Sequence, residues 1–317
     1  MEFRNIIDTQ KSVLQRIELK DWKNRGIEVS VKRDDLLDEA ISGNKWRKLY
    51  YNLQQALHQK SAGIFTFGGA YSNHLLAVAK ACSLLGIPSL GFVRGEELTP
   101  ASNHTLEECS AYGMKLEFIS RELYRLRNDK MFIDELKTEY PAYYAIPEGG
   151  ANFYGMIGCQ EIWKELPGDI DHVFVAQGTT TTSCGLLMGA GENTTIHAVP
   201  VLKGFEVKET MQKQLVYALF DEELTDSLLE RVCLHDTYHF GGYGKYTEEL
   251  LTFIQQIYAA TGIPLDPVYT AKAFFAMYNE LEQPCYDGQK VLFYHSGGIQ
   301  GCRSVEEKEK IRFFHAG

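Results

Sequence analysis

Short apolar runs, each closing on a turn rich in glycine or hydroxyl side chains, recur along the chain, and this alternation restricts the fold more than any other feature. GIFTF (63–67) runs into GGAYSNH, and 72–85 then carries apolar residues at helical spacing. Residues 88–93, 115–119 and 143–146 read as further strands, the last closing on PEGG. A second series follows: HVFVA (172–176), a helix-like 182–190, a strand-like 196–202, and VLFY (291–294) before HSGG. Strand, turn, helix and strand at this spacing predict an α/β fold with parallel-rich, open twisted sheets flanked by helices. A chain of 317 residues exceeds what one core usually fills. Two domains are therefore expected, residues 1–48 with 157–317 forming the larger and 49–156 the smaller, with the active site in the cleft between them.

A net charge of -10 argues against a general nucleic-acid binder, which needs clustered cations to displace counterions from phosphates. Small molecules are the expected partners. No apolar run is long enough to cross a bilayer, and MEFRNIIDTQ lacks a basic start followed by an apolar stretch, so a cytoplasmic protein is expected. The seven cysteines are scattered without a C-x-x-C pair and read as reduced, mostly buried thiols. Among them Cys184 lies in a Gly/Thr-rich turn, where a small buried residue is the simplest role. Nine histidines show no ligand spacing, and no metal site is expected.

In an open parallel sheet, ligands bind at the carboxyl ends of strands, which directs attention to three turns. In AQGTTTTSCG (176–185), hydroxyls and N–H groups converge on a helix start, which suits a single phosphate. A Thr-rich cap that binds only water accounts for the same letters equally well. No G-x-x-x-x-G-K-[ST] or G-x-G-x-x-G is present, so neither a nucleoside triphosphate nor a dinucleotide is favoured. In FGGAYSNH, Ser72 suits a helix cap, Asn73 offers an amide to a ligand oxygen, and His74 fits a structural role better than that of a base. In FYHSGG, Ser296–Gly298 is either a tight turn or a close backbone approach to a flat ligand. Finally, SGNKWRK places Lys45 beside Arg47 and Lys48. A lysine desolvated next to cations loses basicity and gains nucleophilicity, although a solvated helix start reads the same way. A phosphate site, a reactive lysine and a flat ring together describe pyridoxal phosphate.

VKRDDLLDEAISGNKWRKLYY, GGAYSNH, QGTTTTSCG, LDPVYTAKA and HSGG, in this order, resemble the D-cysteine desulfhydrase and 1-aminocyclopropane-1-carboxylate (ACC) deaminase family. The resemblance spans about residues 20–300 and implies a fold type II pyridoxal-phosphate enzyme, similar to the tryptophan synthase β chain, working as a homodimer. It implies that Lys45 forms the Schiff base and that Lys48 is a cation helping to hold the cofactor. It further implies Ser72 as a proton-moving serine, Asn73 on the pyridine hydroxyl, and the N–H groups of Ser72–His74 on the substrate carboxylate. Gly178, Thr179, Thr180, Thr181 and Thr182 match the phosphate cradle; Tyr269 lies beside the ring, and Tyr243 is a second active-site tyrosine. In the deaminase branch an acidic residue holding a proton on the pyridine nitrogen stands where this chain has Thr270. An apolar residue stands there where this chain has Ser296. Both positions lean towards β-elimination from D-cysteine to pyruvate, sulfide and ammonia; the alternatives are ACC deamination to 2-oxobutyrate and a non-catalytic cofactor or amino-acid binder. The chain departs from the family at Tyr71 (usually glutamine), Leu76 (often arginine) and Thr180 (usually glycine).

Overall fold

The computed structural model describes residues 6–314, so the first half of the opening decapeptide lies outside the described residues. Ten strands form two sheets among them: β1 (Leu14–Ile17), β2 (Glu28–Arg33), β3 (Gly63–Gly68), β4 (Ser89–Arg94), β5 (Lys115–Ile119), β6 (Tyr143–Ala145), β7 (His172–Gln177), β8 (Thr195–Pro200), β9 (Val232–Leu234) and β10 (Lys290–His295). The larger sheet has the order β1-β2-β10-β7-β8-β9 and the smaller β5-β4-β3-β6. Every pairing is parallel except the antiparallel edge pair β1/β2. Helices α1 (Lys20–Asn24), α2 (Asn44–His58), α3 (Asn73–Leu85), α4 (His104–Ala111), α5 (Arg121–Arg125), α6 (Lys130–Glu139), α7 (Phe153–Gln160), α8 (Thr181–Gly189), α9 (Val207–Leu219), α10 (Glu222–Glu230), α11 (Glu248–Thr261), α12 (Thr270–Glu280) and α13 (Cys302–Glu309) make the connections.

The expected strands at 63–67, 88–93, 115–119, 143–146, 172–176, 196–202 and 291–294 all appear, within a residue or two of those limits. They are apolar because parallel strands covered on both faces need apolar side chains on both; Val173, Phe174 and Val175 are fully buried in succession. Three strands had no such signature. EVSVKR (β2) ends in two cations, yet Lys32 and Arg33 are buried. Each is neutralised by a carboxylate, Lys32 by Glu165 at 2.7 Å and Arg33 by Asp35 at 2.8 Å, so the strand sits in the core without an apolar sequence. β1 and β9 are short, mixed in polarity, and lie at the two edges of the sheet.

Strand order fixes where a ligand can enter. In the larger sheet the chain winds one way through β7, β8 and β9 and the other way through β10, β2 and β1, so the direction reverses between β7 and β10. In the smaller sheet it reverses between β3 and β6. Helices diverge at such points and leave a crevice at the carboxyl ends of the strands. The residues there are Gly178 and Ser296 in one sheet, Gly69 and Pro147 in the other.

Close contact between α2 and α7 sets the position of the first helix across this crevice. A Cβ at Gly158 would overlap the carbonyl oxygen of Arg47, and one at Gly155 would overlap that of Gly150. Gly158→Ala must therefore push α7 off α2. Overpacking of this kind costs about 1–3 kcal/mol, and a lower Tm in thermal unfolding is the expected outcome; an unchanged Tm would show that the contact is slack.

Candidate active site

Lys45 enters the crevice because the chain before α2 is pinned on three sides. Gly43, at φ +63°, donates its N–H to the Asp34 carbonyl at 3.0 Å, and Asn44 N donates to the Ser296 carbonyl at 3.2 Å. Any Cβ at Gly43 would overlap that Ser296 carbonyl, so glycine is required twice over, by conformation and by space. The Asn44 amide then bridges: its Nδ2 donates to Thr182 Oγ1 at 2.9 Å, and its Oδ1 accepts from Lys45 Nζ at 2.6 Å. Desolvation, reinforced by the charge of Lys48, lowers the Lys45 pKa from 10.5 to about 7. Lys48 Nζ itself donates to Thr179 Oγ1 at 3.0 Å.

Arg47 does not act on Lys45 as expected from the sequence. Two residues along a helix face opposite sides, whereas three lie on one. Arg47 accordingly turns into the core, bonding Asp34 through Nε and Nη2 at 2.9 and 2.8 Å and reaching Glu165. Lys48, three residues on, is the cation that shares the site.

The AQGTTTTSCG turn carries β7 into α8. Thr180 takes the cap position without a side-chain cap bond. The hydroxyls of Thr180, Thr181 and Ser183 and the amide of Gln177 are buried with no partner. Orphaned buried polar atoms cost stability unless something meets them, and here they surround a helix N-terminus, the arrangement that suits an anion. Of the two readings of the threonines, water-binding cap or anion cradle, the missing cap bonds fit the second. Cys184 lies behind them, fully buried, in the core under α8.

The smaller sheet presents the facing wall. Ser72 Oγ caps α3, accepting from Leu75 N at 3.2 Å, which leaves its own proton free. Asn73 opens that helix, and its Nδ2 would lie 3.4 Å from a Cβ at Gly298. His74 Nε2 pairs with Thr66 Oγ1 at 2.8 Å. Burial, then the charges of Lys45 and Lys48, hold its pKa down to about 3, so the ring is neutral and structural. Leu76, where the family often has arginine, is in the core, while Tyr71 is 57% exposed beside His104. From PEGG, Gly149 abuts Thr179 and Gly150 abuts Lys48 and His74.

Tyr269 packs against Gly178, 2.9 Å from a Cβ built there, and its hydroxyl is 3.4 Å from that of Tyr243. Ser296 is nearly buried at the end of β10. Three residues that the sequence reading passed over complete the floor: Gln177, Asp266 and Lys272. Asp266 and Lys272 both stand in LDPVYTAKA, where only Tyr269 and Thr270 had been singled out. Lys272 Nζ donates to the carbonyls of His239 and Gly242 at 2.9 and 2.8 Å, and so ties the loop bearing Tyr243 to α12. Asp266 is fully buried and accepts from the N–H groups of Val268, Tyr269 and Thr270 and from Thr270 Oγ1. Apart from this site, strand pairing brings His197, Cys233 and His235 together, their ligand atoms within 4.8 Å. No sequence spacing announced that group. Its histidines are already joined in a line from His172, with ring nitrogens 3.0 and 2.8 Å apart.

With this geometry in hand, comparisons with known proteins are informative. A family model described as "Pyridoxal-phosphate dependent enzyme" matches residues 8–297. A putative 1-aminocyclopropane-1-carboxylate deaminase of Pyrococcus abyssi is 31% identical over 93% of this chain and 95% of its own length. The mitochondrial bifunctional D-cysteine desulfhydrase/1-aminocyclopropane-1-carboxylate deaminase of Arabidopsis thaliana is 30% identical over 87% of this chain and 73% of its own. Among solved structures, an ACC deaminase homologue superposes with a TM-score of 0.77 at 30% identity, covering 94% of this chain and 92% of that one.

The lowered Lys45 pKa has a direct consequence. An amine attacks a carbonyl only when neutral, so covalent capture of pyridoxal, a probe without the phosphate, should rise through a midpoint near pH 7 rather than 10.5. Lys48→Met removes a like charge, which must raise the Lys45 pKa and move that midpoint upwards. Stopped-flow absorbance against pH measures both; a midpoint unmoved in the variant would show that burial alone sets it.

Proposed function

The chain belongs to the pyridoxal-phosphate dependent enzymes, and from that premise we propose that it is a lyase that eliminates a thiol from the β-carbon of D-cysteine. The observation that carries the reading is Lys45, a desolvated amine with a pKa of about 7, joined through Asn44 to Thr182 in the turn whose Thr180, Thr181 and Ser183 hydroxyls are orphaned. Those residues fit the cofactor. The unpartnered Thr180, Thr181 and Ser183 hydroxyls and the Lys48 ammonium suit its phosphate, together with Gly178, Thr179 and Thr182. Lys45 would hold its carbonyl carbon, Asn73 its ring hydroxyl and Tyr269 one face of the ring, with Thr270 and Ser296 at the ring's edge.

When bound, the cofactor supplies an electron sink that makes the substrate's Cα–H acidic. The protein's own groups do the rest. N–H groups of Ser72, Asn73 and His74 at the start of α3 receive the substrate carboxylate. The neutral Lys45 amine, or Ser72 Oγ with its uncommitted proton, accepts the α-proton. The Tyr243 and Tyr269 hydroxyls, 3.4 Å apart, hold a proton where a leaving thiolate needs one. The Cβ–S bond breaks with its electrons leaving on sulfur, and hydrolysis of the released enamine gives pyruvate and ammonia beside sulfide. Thr270 and Ser296 support thiol loss over ring opening, since hydroxyl residues occupy both positions that separate the two branches of the family. ACC deamination is the second reading, favoured by the phenol pair, which could equally serve a cyclopropane carbon.

The same reading makes the protein a cytoplasmic homodimer. All seven cysteines are free and five are buried, as a reducing compartment permits. Among the described residues no helix is long and apolar enough to cross a membrane.

Visible absorbance of the protein loaded with pyridoxal phosphate, followed by pyruvate and sulfide assays, tests the proposal. The band of the lysine-bound cofactor should vanish in Lys45→Ala, and D-cysteine, not L-cysteine, should yield both products. Faster ammonia release from ACC than from D-cysteine would move the assignment to the deaminase branch, and a normal band without turnover of any substrate would make the protein a binder.

A further inference from the structure

Asp266 is a buried carboxylate without a counter-cation. Among the described residues no lysine, arginine or histidine nitrogen lies within 4 Å of it. Its four hydrogen bonds all come from its own segment: Val268 N and Tyr269 N to Oδ2, both at 2.9 Å, and Thr270 N and Thr270 Oγ1 to Oδ1, at 2.8 and 2.7 Å. A plain helix cap accounts for the three backbone bonds. It does not account for full burial, nor for the direction in which the carboxylate faces. Gly298 leaves Oδ1 open towards Asn73, since a Cβ there would stand 3.2 Å from Oδ1 and 3.4 Å from Asn73 Nδ2. The charges of Lys45 and Lys272 feel Asp266 from beyond contact distance, and the turns that border it, at Gly298 and Asn73, follow the carboxyl ends of β10 and β3. Burial pushes its carboxyl above the usual value against the pull of those hydrogen bonds, as happens when no compensating charge is in contact.

The Thr270 hydroxyl decides what can supply that charge. A hydroxyl has one proton and two lone pairs. The proton is given to Asp266 Oδ1 at 2.7 Å, and one lone pair accepts from Asp266 N at 2.8 Å. Only a second acceptor position remains, so a ligand atom held by Thr270 Oγ1 must bring its own hydrogen. Pyridoxal phosphate held with its aldehyde at Lys45 and its phosphate at Thr179–Thr182 would have its ring nitrogen, para to the aldehyde carbon, directed away from Lys45. Tyr269 lines the cradle at Gly178, and Thr270 is the next residue.

We propose that Asp266 is a positioning residue that, through the Thr270 hydroxyl, holds a proton on the ring nitrogen of the bound cofactor. The inference rests on the placement of the cofactor argued above. The ring N–H donates to Thr270 Oγ1, Thr270 donates to Asp266 Oδ1, and the positive ring completes the buried carboxylate. A neutral first residue backed by a buried acid thus does the work of an acid in direct contact, and the electron sink is the stronger pyridinium form.

Nitrogen NMR of the protein loaded with pyridoxal phosphate labelled with 15N in the ring tests this without reference to turnover. In the wild-type protein the signal is expected at the upfield position of a pyridinium. In Asp266→Asn, which keeps an acceptor for the backbone N–H groups, and in Thr270→Val, which leaves Asp266 in place, it is expected to move downfield to that of a neutral pyridine. The visible band of the Lys45-bound cofactor should persist in both. A wild-type signal at the neutral position, with the band present, overturns the inference and leaves the proposed function standing. So does a lower Tm in Asp266→Asn with the signal still that of a pyridinium, the result a mere helix cap would give. If Asp266→Asn does not fold, the wild-type signal and Thr270→Val decide. Absence of the band in the wild-type protein would overturn the placement of the cofactor and this inference together.

Discussion

Asp34 is the point on which the rest of the molecule hangs. Its carboxylate is fully buried, and it receives Ser12 Oγ, two nitrogens of Arg47, and Tyr294 Oη at 2.6 Å. Those partners come from the N-terminal segment, α2 and β10, and Arg47 and Lys32 extend the network to Glu165. Burial alone would raise the Asp34 pKa, but Arg47 and the hydroxyl donors together hold it below the ordinary carboxylate value. A buried charge network adds little stability over an apolar one of the same shape, yet losing one partner is severe. What the network contributes is register: the Asp34 carbonyl also takes the Gly43 N–H, so the segment that delivers Lys45 is tied to the same residue that locks β10 and α2 together.

From that anchor the crevice follows by steric necessity more than by attraction. Gly43 lies under the Ser296 carbonyl, Gly178 under Tyr269, Gly149 against Thr179, Gly150 against Lys48, and Gly298 between Asp266 and Asn73. Each contact brings separate segments together, and a β-carbon would overlap the neighbour outright at Gly43 and crowd it at the others. The turns at the two switch points therefore form one surface. A bound ring would be met by backbone and short hydroxyl side chains whose positions are fixed before it arrives, and preorganisation of that kind is what electrostatic catalysis requires.

How much of this was legible in the sequence depended on whether a residue's role is written locally. Apolar runs announced the parallel strands because burial on both faces leaves no choice of side chain, and the turns that follow them announced the crevice. β2 was invisible because its cations are neutralised by Glu165 and Asp35, the first of them far away in the chain. Arg47 was misread for the opposite reason: neighbours in sequence were taken as neighbours in space, whereas helical phase separates it from Lys45 and pairs it with Asp34. Asp266 went unnoticed because an Asp-Pro before a helix reads as a cap, and only the fold shows that its carboxylate is fully buried beside Gly298 and Asn73.

The same distinction explains why cofactor chemistry is easier to read from this chain than substrate choice. The contacts proposed for the cofactor come from single turns, each with its own short signature. A substrate's side chain would instead meet groups brought together from separate elements: Tyr71 at the mouth of the smaller-sheet turn, Tyr269 at the start of α12, and Tyr243 on a loop that Lys272 ties to α12. The Lys272 ammonium is itself depressed, to about 8, by burial, with Asp266 opposing the shift. With the cofactor placed as proposed, Asp266 would bear at once on the ring's edge through Thr270 and on the Tyr243 loop through the charge of Lys272. Changing that one carboxylate would then disturb both the proposed electron sink and the proposed proton donor, a coupling that would tie the strength of the sink to the shape of the pocket.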